Sequence, residues 1–119
     1  MKTIKSNKIV CFDVDDTLVS DVTESFSHSD IQVMEIKCGN QITLVKPIKE
    51  NIAALKRHKR QGQIIVVWSA AGYKWASSVV KSLNLTDYVD YAMSKPNWYY
   101  DDMPCEKWMG NPRWGGDRR

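Results

Sequence analysis

Short apolar runs separated by helical patterns constrain the fold of this sequence more than any other feature. The runs that matter are Ile9 to Phe12, Ile64 to Trp68, Val89 to Met93 and Trp98 to Tyr100. The first two are uninterrupted and rich in β-branched residues, which is typical of strands buried on both faces of a sheet. Because such strands alternate with helices in α/β proteins, we expect an α/β fold with a small parallel sheet.

The stretch between the first two runs predicts a helix. Ile48, Ile52 and Leu55 recur at helical spacing, Pro47 suits the first turn and Gly62 is placed to end the helix. This helix should cover one face of the sheet.

A second helix is predicted to begin near Gly72 or Tyr73. Asn84 is predicted to end it by adopting the left-handed backbone conformation. The helix carries one apolar stripe, formed by Trp75, Val79 and Leu83. Right-handed crossovers would make the two helices parts of successive βαβ units.

Residues 18 to 46 do not follow this alternation and are interpreted as an insertion. Residues 20 to 30 are polar and loop-like, and then Ile31 to Ile36 and Ile42 to Val45 flank Gly39-Asn40 as a predicted β-hairpin. Since the insertion follows the first strand directly, it would overhang the end of that strand as a flap. The alternative is a structural hairpin that shields a sheet edge.

Length and composition indicate one ordinary domain. A chain of 119 residues supports one core, so residues 1–119 are assigned to a single domain with a C-terminal tail at about residues 103–119. Charged residues make up 26% and the net charge is +3, so general affinity for nucleic acid or membranes is not indicated. Residues 56–60 form a basic cluster, which we interpret as the positively charged end of a helix.

The cysteines and the N-terminal residues bear on location. Cys11, Cys38 and Cys105 are odd in number and widely spaced, which argues against a disulfide framework and a zinc site. Residues 1–5 lack the apolar core of a signal peptide, and no run is long enough to span a membrane. We expect a cytoplasmic protein with no membrane partner.

Three carboxylates follow the first apolar run, in the order Asp13-Val14-Asp15-Asp16-Thr17. Like charges this close oppose one another's ionisation unless a cation lies among them, so they indicate a divalent metal, a phosphoryl group, or both. In an extended strand, Asp13 and Asp15 would point the same way and Asp16 away. Neighbouring carboxylates can act as nucleophile and proton shuttle. The alternative is an acidic turn after a strand.

The other predicted strands also end in side chains that can bind a ligand or take part in catalysis. Ser69 follows the second strand, Lys95 the third, and Asp101-Asp102 the fourth. Carboxyl ends of parallel strands lie along one edge of a sheet, so these residues are expected to converge with the carboxylates after the first strand. Together they supply what phosphoryl transfer needs: a nucleophile, an acid/base, ligands for Mg²⁺, and a cation and hydroxyl for phosphate oxygens.

The order D-x-D-x-T, then Ser69, Lys95 and the Asp101-Asp102 pair resembles the four motifs of the haloacid dehalogenase-like hydrolase superfamily. The resemblance covers the chain from about residue 8 to residue 102. It implies a Rossmann-like three-layer domain in which the flap at residues 18–46 stands in place of a true cap. It also implies a phosphatase acting on a phosphate ester, because phosphatases and phosphomutases of the family keep the second Asp of the first motif and dehalogenases lack it.

The resemblance implies roles for individual residues. Asp13 would attack phosphorus and become an aspartyl phosphate, while Asp15 would protonate the leaving oxygen and then activate water. Ser69, Lys95 and the backbone N–H of Ala70 would hold the phosphoryl oxygens.

It further implies a Mg²⁺ site. The ligands would be the Asp13 carboxylate, the Asp15 backbone carbonyl and Asp101, with Asp102 close by. Glu106 is the only candidate for the downstream acid that is common in the fourth motif.

The sequence departs from the family's pattern after residue 102, where no clear fifth strand and helix follow. The sheet would be minimal and would leave an exposed edge. We expect Trp98, Trp108 and Trp114, here called the Trp-rich edge, either to mediate self-association into a homo-oligomer or to fold back on the monomer core.

Two rival functions have the same size and fold class. A signalling receiver domain also has an acidic cluster and a Lys-Pro pair, but it needs a phosphoacceptor Asp where the second strand here ends in Trp68-Ser69. A non-catalytic binding or assembly module is the other rival. For a phosphatase, the phosphorylated substrate would be a small ester or a nucleic-acid end that contacts the basic cluster and the Trp residues.

Overall fold

The structure is a computed structural model that describes residues 8–22 and 32–110. Its strands are β1 (Ile9–Asp13), β2 (Val19–Asp21), β3 (Met34–Cys38), β4 (Gln41–Pro47), β5 (Ile64–Ser69) and β6 (Tyr91–Ser94). Its helices are α1 (Lys49–Arg60), α2 (Tyr73–Ser82) and a short 3-10 helix (Cys105–Lys107). None of these helices is long and apolar enough to cross a membrane.

The parallel sheet has the strand order β1-β5-β6. Strands β1 and β5 align from Ile9 opposite Ile64 to Asp13 opposite Trp68. The α/β class and the small parallel sheet predicted from the apolar runs are therefore confirmed. This register brings the carboxyl ends of the strands to one edge, where the candidate site lies.

Strand β6 begins at Tyr91, later than predicted, and the side chain of Asp90 just before it contacts β5 and α1. Its carboxylate accepts the backbone N–H of Ile65 at 2.8 Å and pairs with Lys59 at 2.9 Å. These contacts tie the end of α1, the start of β5 and the start of β6 together at the amino end of the sheet.

The strand predicted at Trp98 to Tyr100 is wrong. This segment is irregular, and Trp98 and Tyr100 are 79% and 92% exposed. Aromatic residues favour strands only where they pack against neighbouring strands, and Pro96 just before them removes a backbone donor that pairing would use. The fourth predicted run therefore does not join the sheet in the described part of the chain.

Both predicted helices are confirmed. Helix α1 begins at Lys49, after Ile48 in an extended conformation, so Pro47 ends β4 instead of lying in the first turn as predicted. Gly62 (φ 84°) and Asn84 (φ 59°) adopt left-handed conformations just beyond the two helices, as their residue types suggested.

The helices lie on the same face of the parallel sheet. The strand order advances in one direction, so right-handed crossovers place both helices on one side. Leu55 of α1, Val79 of α2 and Val67 of β5 are fully buried in one shared core. This core positions β1 and β5, which carry the candidate site.

The insertion forms a second, antiparallel sheet with the order β2-β4-β3. The predicted hairpin is confirmed, with Gly39 (φ 62°) in the turn between β3 and β4. Strand β2 was not predicted, because its three residues begin a polar stretch and its partner β4 lies far along the chain. Ile36 and Val45 are fully buried in the main core, so the hairpin contributes to the core. Residues 23–31 of the insertion lie outside the described residues.

We predict that Asp90→Ala lowers the free energy of unfolding by about 1–3 kcal/mol, because it leaves the Ile65 N–H without its carboxylate acceptor. The N–H of Ile65 and the ammonium of Lys59 lower the pKa of Asp90 below 3.8, so the stabilisation is present at neutral pH and is lost as pH falls below that value. Urea denaturation at pH 7 and pH 3 measures both effects. Asp87→Ala, on the preceding turn, is the control, and an equal loss in both variants would contradict the assignment.

Candidate active site

The end of β1 presents two carboxylates on either side of a buried residue. Val14 is fully buried, whereas Asp13 is half-buried and Asp15 is exposed. Side chains alternate in extended backbone, so burying Val14 turns its two neighbours away from the core. The burial of one aliphatic side chain thus fixes where both carboxylates point.

A tight main-chain turn holds this arrangement. The carbonyl of Val14 accepts the backbone N–H groups of Thr17, Leu18 and Val19 at 3.2, 2.9 and 3.2 Å. Asp16 has φ 66° and donates its N–H to the Val19 carbonyl at 2.7 Å. Asp is one of the few non-glycine residues that adopt this conformation readily, so Asp16 shapes the turn.

Lys95 lies beside Asp13 at the carboxyl edge of the sheet. Its Nζ is 4.0 Å from Asp13 Oδ1, and its backbone N–H donates to the Ser69 carbonyl at 2.9 Å. Asp13, Ser69 and Lys95 therefore lie at the ends of three adjacent strands, although they are far apart in sequence. Lys95 contacts Asp13 through its side chain and Ser69 through its backbone.

Ser69 and Ala70 begin the turn that leads into α2. Ser69 is almost fully buried, and its Oγ accepts the Ala71 N–H at 3.0 Å. Ala70 is exposed, and Gly72 (φ 112°) precedes the helix and donates its N–H to the Ser69 carbonyl. The turn thus brings the N-terminus of α2, with its backbone N–H groups, to the same edge as Asp13.

Asp15 contacts residues that the sequence interpretation did not assign to the site. The indole Nε1–H of Trp75, in the first turn of α2, donates to Asp15 Oδ1 at 3.1 Å. Partial burial raises the pKa of Asp15, the Trp75 hydrogen bond lowers it, and the charges of Asp21, Asp13 and Asp16 raise it further. The sequence pattern places Trp75 only in an apolar stripe and Asp21 only in a polar loop, because neither pattern shows a contact between distant residues.

The pair Asp101-Asp102 lies in the irregular segment after β6. Both side chains are exposed, and Asp101 Oδ1 accepts the backbone N–H of Met103 at 3.3 Å. The hydrogen bond from Asp102 is the largest cause of a lowered pKa at Asp101. A shallow depression surrounds the pair, lined also by Tyr99, Tyr100, Met103 and Pro104.

Within residues 8–22 and 32–110, no three His, Cys, Asp or Glu side chains are grouped closely enough to hold a metal ion. The pair Asp101-Asp102 is thus not assembled with Asp13 and Asp15 into one ligand set, since no strand at residues 98–100 holds it against β1. Glu106 lies exposed in the short 3-10 helix. The Mg²⁺ ligand set stays a prediction.

The charges near β1 nevertheless suit a hard cation. Asp21, Asp13 and Asp16 all act on Asp15 by charge repulsion, while Lys95 lies beside Asp13. Carboxylate and carbonyl oxygens are the ligands that Mg²⁺ prefers, so the donor chemistry fits this ion.

No protein-family model and no curated protein sequence matches this chain.

We predict that Asp15→Asn raises the unfolding midpoint at neutral pH in metal-free buffer. A raised pKa means that the folded state holds the proton more tightly than the unfolded state, so the carboxyl lowers stability as pH rises above 3.8. The amide cannot ionise, so the gain over wild type should be present at pH 7 and disappear below about pH 3.8. Denaturation at several pH values checks this, and an Asp15→Asn variant that is less stable at pH 7 would contradict it.

Proposed function

We propose that this protein is a Mg²⁺-dependent phosphatase of the haloacid dehalogenase-like type, which hydrolyses a phosphate monoester through an aspartyl-phosphate intermediate. The observation that carries the proposal is the meeting of Asp13, Ser69 and Lys95 at the ends of three adjacent parallel strands. Asp15, two residues beyond Asp13, completes the set. Ligands of open parallel sheets bind at this edge.

In the first half of the reaction, a carboxylate oxygen of Asp13 attacks phosphorus and forms a new P–O bond. The ester P–O bond breaks, its electron pair stays on the departing oxygen, and Asp15 supplies the proton. The environment of Asp15 suits this step, because a raised pKa keeps a larger protonated fraction available. Lys95 offsets the negative charge of Asp13 and the phosphoryl group.

In the second half, water attacks the phosphorus of the aspartyl phosphate. Asp15, now a carboxylate, takes a proton from this water, and the bond between Asp13 and phosphorus breaks to release inorganic phosphate. Asp13 and the Asp15 carbonyl would hold Mg²⁺, and the ion would stabilise charge on the phosphoryl oxygens. Asp101 and Asp102, the other predicted ligands, are not grouped with them in the described residues.

We propose a small phosphate ester as substrate in preference to a nucleic-acid end. The basic cluster at residues 56–60 ends α1 and precedes β5, so it lies at the amino edge of the sheet, away from Asp13. Three of its residues contact neighbouring side chains: Lys59 pairs with Asp90, and Lys56 and Arg60 lie over the ring of Tyr88. These contacts favour a structural role for the cluster.

The free thiols of Cys11, Cys38 and Cys105 support a reducing, cytoplasmic location.

We also propose that the fold is a minimal Rossmann-like domain whose third layer is supplied by self-association. Parallel sheets are normally covered on both faces, and the face opposite the helices includes the exposed side chains of Ile9, Tyr91 and Met93. Trp98 and Trp108 of the Trp-rich edge are also exposed, whereas Trp114 lies outside the described residues.

The proposed activity predicts that Asp13→Asn abolishes Mg²⁺-dependent hydrolysis of an aryl phosphate, a loss of at least about 10³-fold, because an amide is a poor nucleophile. The release of inorganic phosphate with Mg²⁺ and with EDTA measures it. Asp16→Asn is the matched control, since Asp16 shapes the turn and is expected to keep activity within several-fold of wild type. Full activity in Asp13→Asn would overturn the nucleophile, and stable labelling by a small phosphodonor without turnover would favour the receiver alternative.

The proposed self-association predicts that wild type is a dimer and that Tyr91→Lys with Trp98→Lys makes it monomeric, because charges in an apolar interface are costly to bury. Ile42→Lys is the control, since Ile42 is equally exposed but lies on the other sheet. Sedimentation equilibrium measures the mass. A monomeric wild type at micromolar concentration would contradict the proposal.

A further inference from the structure

The structure assigns to Trp75 a role in orienting Asp15, and we propose that it is a positioning residue of the proposed phosphatase, on whose function this inference rests. Trp75 Nε1 lies 3.1 Å from Asp15 Oδ1, and the two residues are 60 positions apart in sequence. The contact joins the first turn of α2 to the turn that follows β1.

Trp75 is held firmly enough to orient a partner. Its ring is half-buried and packs against the core, and the next residue, Ala76, is fully buried. The start of α2 is tied to β6 by the Tyr73 N–H, which donates to Ser94 Oγ at 2.9 Å. The indole N–H is therefore a donor whose position is fixed relative to the carboxyl edge of the sheet.

Asp15 needs such a partner. Its side chain is exposed, so packing against the core does not fix its rotamer. A donor at a fixed position selects one orientation of the carboxylate. The indole of Trp75 supplies that donor from a side chain that carries no charge and cannot itself titrate.

The contact also determines which oxygen of Asp15 carries the proton. An indole N–H can only donate, so Oδ1 must accept and the acidic proton is confined to Oδ2. In the first step this proton passes from Oδ2 to the ester oxygen as the ester P–O bond breaks and the bond from Asp13 to phosphorus forms. In the second step a proton of the attacking water returns to Oδ2. Trp75 exchanges no proton in either step.

The test removes the N–H donor, and one of its two variants keeps the shape of the ring. Trp75 is substituted by 3-benzothienylalanine, in which sulfur takes the place of the N–H, and by Phe in a second variant. The kcat/KM of each variant is compared with that of wild type on two substrates. The leaving oxygen of an alkyl phosphate needs a proton, whereas the leaving oxygen of an aryl phosphate with an acidic phenol needs a proton far less. Tyr88→Phe, which alters an aromatic side chain that lies over Lys56 and Arg60, is the control.

We expect kcat/KM on the alkyl phosphate to fall by about 10-fold in both variants, because a misplaced acid loses part of its catalytic effect. The aryl phosphate should lose at most about 2-fold, and the inhibition constant of inorganic phosphate should not change. Equal losses on both esters, or a parallel change in the inhibition constant, would show that Trp75 is merely structural and would overturn the inference. A wild type that hydrolyses neither ester would instead refute the proposed function.

The contact itself is tested without activity. The indole N–H signal of Trp75, identified by its absence in Trp75→Phe, should shift in the ¹H–¹⁵N spectrum of Asp15→Ala, which removes the acceptor. The corresponding signals of the other tryptophans should not shift. An unchanged Trp75 signal would overturn the inference whatever the enzyme assays show.

Discussion

The burial of Val14 at the end of β1 is the constraint on which the candidate site depends. This one side chain packs into the core and turns Asp13 and Asp15 away from it. The Val14 carbonyl then accepts three backbone N–H groups and closes the turn that leads into β2. The same residue therefore packs in the core, orients both carboxylates and closes the turn that precedes the second sheet.

Charge is distributed unevenly around this turn. The charges of Asp21, Asp13 and Asp16 help to raise the pKa of Asp15, and Lys95 lies beside Asp13. Such an arrangement costs stability in the protein alone, and that cost is typical of functional sites. The indole of Trp75 offsets part of it at Asp15 without adding charge. The site thus combines closely spaced carboxylates with a neutral donor that contacts one of them.

Local sequence patterns predicted the elements that depend on local physics. Apolar runs identified β1 and β5, helical spacing identified α1 and α2, and Gly39 identified the hairpin turn. The convergence of Asp13, Ser69 and Lys95 followed from the parallel strand order alone. These predictions succeeded because hydrophobic periodicity and turn conformation depend on residues close in sequence. The alternation of strands and helices along the chain then indicates that the strands are parallel.

What the sequence pattern missed depends on distant partners. Strand β2 is defined by its pairing with β4, and the Trp75–Asp15 contact spans 60 positions, so neither is visible locally. The aromatic run at residues 98–100 has the composition of a strand but no adjacent strand in the described structure. For the same reason, the pair Asp101-Asp102 is not held against β1 by a strand of its own.

The proposed mechanism requires that Asp13 becomes covalently phosphorylated during turnover. This is measured by mixing the protein with Mg²⁺ and a phosphate ester, quenching in acid, reducing with borohydride and sequencing the peptides by mass spectrometry. An aspartyl phosphate is reduced to homoserine, so we expect homoserine at position 13, dependent on substrate and absent at Asp15, Asp16 and Asp21. Steady turnover with an unmodified Asp13, or with modification at another aspartate, would contradict it.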